Sequence, residues 1–177
     1  MHPGHPDDSE FAPHAKAYVA LVPEANIRDL LAAQGKNTLA LLEPVPDDYA
    51  GSFTYAPGKW TVKQIVGHLS DTERIFSTRA LRLARNDATP LPGFEQDDYV
   101  LNAASNNREL SDLLNEFRLV RESTLALYKS LVPEAWSRRG PVSDWNLSVR
   151  GIAFTTAGHE LHHVRILRDR YRVGQAQ

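Results

Sequence analysis

Four stretches of about 20 residues return apolar side chains at every third or fourth position, and no segment alternates with period two over a strand's length. Each stretch can satisfy its own backbone as a helix, but its apolar stripe must be buried against another. The chain is therefore predicted to be all-α, a four-helix bundle with long crossing loops. The first helix runs from Pro23, a good first-turn residue, to about Leu42, with Gly35 as a weak point. The second, TVKQIVGHLSDTERIFSTRALRLA, opens with Thr61 and Gln64 in capping-box spacing. The third covers about Leu110 to Leu131 and stops before Pro133; the fourth covers about Ser148 to Tyr171. Residues 43–60 and 133–146 read as loops. The connection 86–107 is too polar and proline-rich for a core helix, although DDYVLNAA can form a short one. A connection that long inside a compact domain is often functional. Residues 1–22 hold three prolines and three histidines without a period, and read as a loosely ordered arm covering the domain surface. Its histidines, His2, His5 and His14, offer a poor scaffold for a designed site. Residues 23–172 then form the bundle.

At 177 residues the chain is long enough for one domain with a real core. A formal charge of −2 gives no electrostatic reason to expect nucleic acid or an anionic membrane as partner. No apolar run approaches the roughly 20 residues that span a bilayer. MHPGHPDDSEF lacks the basic start and apolar stretch of a signal peptide, so the cytoplasm is the expected compartment. There is no cysteine, so a metal here must be held by His, Asp, Glu or water.

HELHH, residues 159–163, fits H-E-x-x-H, in which two histidines hold zinc and a glutamate is general base. On the fourth helix the apolar stripe runs Val149, Ile152, Thr156, His159, His163, Ile166, so two histidines point where the core should be. His162 falls on the adjacent polar stripe. The second helix repeats the pattern with Ile65, His68, Thr72, Ile75. One buried histidine is usually a satisfied core residue; three turned inwards from two helices are better explained as a metal site. A zinc peptidase of the H-E-x-x-H type is the remote alternative. Its third ligand lies downstream, but Ile166 and Asp169 occupy the glycine and histidine positions of the longer motif, and no glutamate follows. Glu160 also lies about 100° round the helix from His159, which makes it a doubtful general base. His68 is the best candidate for the third ligand.

KWTVKQIVGHLSDTERIF with His68, FRLVRESTLALYKSL, and GHELHHVRIL with His159 and His163 together resemble the DinB-like superfamily of metal-binding four-helix bundles, including its YfiT-like metal-dependent hydrolases. The likeness covers roughly residues 25 to 170 and includes element order. It implies one divalent metal, nickel or zinc most often, on His68, His159 and His163 with open positions for water. It also implies either hydrolysis or transfer of a low-molecular-weight thiol on a small-molecule substrate. Three neutral ligands leave the ion its charge and an open position, which suits water activation, carbonyl polarisation or holding a thiolate. The competing class is a non-enzymatic metal-binding or stress-response protein whose pocket stores or senses something.

Other positions carry expectations of their own. Glu73 interrupts the stripe Val62, Val66, Leu69, Phe76, Ala80, Leu83, and Arg121 interrupts Leu110, Leu114, Phe117, Thr124, Tyr128, Leu131. Buried charges need partners, so the two are expected to pair across helices. Alternatively Arg121 clamps a substrate carboxylate. Asp71 could receive the His68 N–H, though an Asp there is more often solvated. GFEQDDYV could lie over the metal, with Asp98 or Tyr99 reaching towards substrate. Glu160, Asp98, Tyr99 and Arg121 are thus the candidate catalytic groups. Trp60 and Trp145 read as loop anchors at the bundle ends. The mixed first helix, IRDLLAAQGKNTLALL, could give a homodimer its face.

Overall fold

The computed structural model describes residues 4–174, so His2 lies outside the described residues. Four long helices form the bundle: α2 (Ile27–Leu42), α4 (Val62–Ala84), α6 (Leu110–Lys129) and α7 (Val149–Asp169). Helix α4 packs on α6 and α7, and α2 packs on the same two, so α2 and α4 stand diagonally across the core. The short helices α1 (Lys16–Val19), α3 (Asp47–Ser52) and α5 (Gln96–Ala103) fill the connections.

The helix starts follow from their caps. Thr61 and Gln64 close the expected capping box on α4. The Ser148 side chain accepts from the Gly151 amide at the start of α7. The first long helix begins at Ile27, four residues later than expected, because Asn26 caps it through the Arg28 amide. Its stripe of Ile27, Leu31, Thr38 and Leu42 turns inwards, and no large apolar side chain of α2 is exposed.

Two parts differ from the expectation. Residues 139–148 form an antiparallel hairpin, β1 (Arg139–Val142) and β2 (Trp145–Ser148), with Val142 opposite Trp145. Strands of four residues, the first of them containing Gly140 and Pro141, are too short and irregular to show a period of two. The N-terminal segment is also no loose arm. After two short 3₁₀ turns, Asp8–Glu10 and Pro13–Ala15, it passes into α1 and lies along α7, burying Phe11, Ala15 and Val19.

Two glycines explain that close approach. A Cβ at Gly151 would stand 2.1 Å from the Glu10 carbonyl oxygen, and one at Gly158 would stand 2.1 Å from that of Tyr18. Any side chain there would push the segment off the helix. Glu10 fastens it further: the carboxylate, 2 % exposed, accepts from Ser148 Oγ at 2.6 Å and from the Arg150 guanidinium. No helix among the described residues is long and apolar enough to cross a membrane.

Candidate metal centre

Helix α4 carries His68 and the facing side of α7 carries His159 and His163, one turn apart. All three are buried, at 3, 7 and 8 % exposure. The Nε2 atoms of His68 and His159 lie 2.9 Å apart, and one nitrogen from each of the three rings falls within 4.8 Å of the others. Among the described residues no fourth His, Asp or Glu joins the group. Burial lowers the pKa of His68 to about 4. Burial, with His68 and His162 nearby, lowers that of His163 to about 3. His159 is driven well below the ordinary histidine range by burial first and then by its imidazole neighbours. The rings are therefore neutral at physiological pH, the protonation state that metal ligands need. His163 Nδ1 is buried without a hydrogen-bond partner. A buried imidazole nitrogen without a partner, in a cluster whose three neutral rings each keep one lone-pair nitrogen, fits a cation.

Aromatic rings hold the cluster in place. Trp60 packs 4.7 Å from His68 and lies nearly parallel to His163, at 16° and 6.2 Å. Tyr18, from the N-terminal segment, meets His159 edge-on at 5.6 Å. Trp60 thus touches the histidines instead of merely anchoring a loop. His162 is half-buried against Tyr18 and outside the trio. Thr72 Oγ1, 3.4 Å from His68 Nδ1, occupies the place considered for Asp71, which pairs with Arg74 at 3.2 Å.

His68 and His159 form part of the floor of a cavity of about 770 Å³. Its walls come from α4, the N-terminal segment, the 93–99 connection and the hairpin. Asp98 and Tyr99 line it, as the loop's length suggested, and so does Trp145, 42 % exposed at the rim. A separate cleft of about 310 Å³ reaches His163 past Trp60 and Tyr171, and Gln96 lines both spaces.

Glu160 and Arg121 line neither cavity. Glu160 is 2 % exposed and accepts from Thr38 Oγ1 at 2.6 Å, with Arg121 Nη1 2.9 Å from its other oxygen. Arg121 also grips Glu73 with two hydrogen bonds, at 2.8 and 2.7 Å, and donates to the Leu31 carbonyl. The expected Glu73–Arg121 pair exists, and the substrate clamp gives way to it. Burial opposes the charge on Arg121, but the two carboxylates hold its pKa above the ordinary value. Glu160, turned about 100° round α7 from His159, is fixed in this ion-pair network.

Sequence reasoning missed Thr72, Trp60 and Tyr18 as neighbours of the histidines. The first two lie on or beside the α4 stripe and were open to discovery; Tyr18 belongs to a segment whose path left no periodic signal.

No curated protein matches the sequence. Among solved structures, YfiT from Bacillus subtilis, described as a probable metal-dependent hydrolase with an unusual four-helix bundle topology, superposes with a TM-score of 0.70 at 19% identity, covering 94% of this chain and 91% of its own. A mycothiol-dependent maleylpyruvate isomerase gives 0.68 at 12% identity over 83% of this chain, which spans only 61% of that enzyme. At such identities the likeness speaks for the fold. The sequence model of the DinB superfamily matches residues 30–167, and the chain belongs to that superfamily.

Proposed function

We propose that the protein is a metal-dependent enzyme acting on a small molecule, with His68, His159 and His163 holding one divalent ion. The observation that carries this reading is the convergence of three buried, neutral imidazoles, two of them on the floor of a cavity of about 770 Å³ and the third reached by a cleft of its own. A nitrogen-only donor set without cysteine suits zinc or nickel. Such an ion supplies Lewis acidity towards an oxygen or sulfur donor of the substrate. The protein's own residues supply the rest. Trp60 and Tyr18 pack against the histidine rings and fix their planes. Asp98 and Tyr99 stand on the cavity wall, where they can meet polar groups of the substrate or accept a proton from it.

Transfer of a low-molecular-weight thiol is favoured over hydrolysis by the second cleft. One space reaches His68 and His159 and another reaches His163, as a reaction joining two organic substrates would require. The similarity to a mycothiol-dependent isomerase supports the same direction. Cobalt(II)-loaded protein tests the proposal, because its visible spectrum reports ligand exchange. Adding a small thiol such as cysteamine is expected to bring in a thiolate charge-transfer band. A spectrum unmoved by thiols and by azide would mean a closed site and a structural ion.

A further inference from the structure

Arg79 follows His68, Thr72 and Phe76 along one face of α4 and lines the same large cavity. Eleven residues of helix separate it from His68 by about 16 Å along the axis, and a long helical side chain leans back towards the N-terminus, which is the histidine end. Its guanidinium stands between two aromatic rings, 5.8 Å from the centre of Phe76 and 5.7 Å from that of Phe94. Nη2 donates to the Pro92 carbonyl at 2.6 Å. Among the described residues no carboxylate pairs with it, whereas Arg74, Arg82, Arg118 and Arg150 each meet one. The acidic groups of the same cavity, Glu95 and Asp98, are exposed, so water screens their charge. Arg79 is half-buried, and the two rings displace water from its faces while leaving much of its planar fork unused. The cavity mouth beside it presents Tyr99 and Trp145, 47 and 42 % exposed, as uncovered aromatic surface.

We propose that Arg79 is the anion-recognition residue of this cavity, and that the substrate is a small carboxylate whose apolar or aromatic body lies between Arg79 and the histidines. A carboxylate matches the fork of a single guanidinium, whereas a phosphate dianion would call for more positive charge than this wall supplies. The assignment of the reacting end rests on the metal-site reading; the assignment of the charged end rests on Arg79 alone.

Calorimetry with 4-phenylbutanoate and 6-phenylhexanoate against their primary amides separates the two. Wild-type protein is expected to bind the acids about tenfold more tightly than the amides, and to keep that preference when metal-free. Arg79→Gln is expected to abolish the preference, and Arg79→Lys to retain part of it as a point charge. Equal binding of acid and amide by the wild type, or a preference that survives Arg79→Gln, would overturn the proposal. A preference confined to metal-loaded protein would seat the carboxylate on the ion: Arg79 would lose its role and the metal reading would stand. An Arg79-dependent preference in a protein that takes up no metal would do the reverse.

Discussion

Arg121 shows how far one residue could be read. A charge inside an apolar stripe demands a partner, and Glu73 interrupted the stripe of the neighbouring helix, so their pairing followed from the cost of an unpaired buried charge. The third member, Glu160, was not foreseen. It sits inside HELHH, where the motif assigns it to catalysis, and its helix angle shows only that it faces away from His159. In the folded protein Arg121 binds both carboxylates with 4 % of its own surface exposed. Replacing it with methionine would leave Glu73 and Glu160 without their cation in a dry interior. Arg121→Met is expected to cost about 3–5 kcal/mol in chemical denaturation. A loss below about 1 kcal/mol, the scale of an exposed pair, would mean that the carboxylates find protons or water instead.

At the level of elements, α4, α6 and α7 were legible because each combines a 3.6-residue stripe with a stop or cap signal: Thr61 and Gln64, Pro133, Ser148. The hairpin and the N-terminal segment were not, because neither is held by local periodicity. The segment is fixed by long-range features, the bare backbone at Gly151 and Gly158 and the ion pair of Glu10 with Arg150. Burial would raise the Glu10 pKa, but hydrogen bonds from Arg150, Ser148 and the Asp7 amide outweigh it and hold it below the ordinary 4.5. A depressed carboxylate contributes stability that is complete above its unfolded pKa and lost as pH falls through the folded one. Attachment of residues 4–22 should therefore hold at neutral pH and weaken below about 4.5. Hydrogen-exchange mass spectrometry across the acid range reads this directly. Glu10→Gln should loosen the segment at neutral pH and remove the acid step; equal protection in both proteins at every pH would show that the glycine contacts alone hold it.

For the whole molecule, the bundle and the histidine trio could be read from sequence because both depend on which residues share a helix face. The cavity could not. Its walls come from an N-terminal turn, a helix, a long connection and a hairpin, and their meeting depends on how the chain crosses the bundle. Asp98 and Tyr99 reached it by the weaker argument of loop length, and Arg79 went unnoticed because an arginine at that helix position reads as solvated. The proposed function rests on that trio: three imidazoles from two helices, brought together beside the cavity, make a donor set that a divalent ion fits.

The most direct test of that claim is the metal content of purified, tag-free protein, measured by elemental mass spectrometry beside His68→Ala, His163→Ala and His162→Ala. One divalent ion per chain is expected in the wild type and in His162→Ala, and its loss in the other two variants. Metal retained without His68, or absent after loading with zinc and with nickel, would contradict the three-histidine centre.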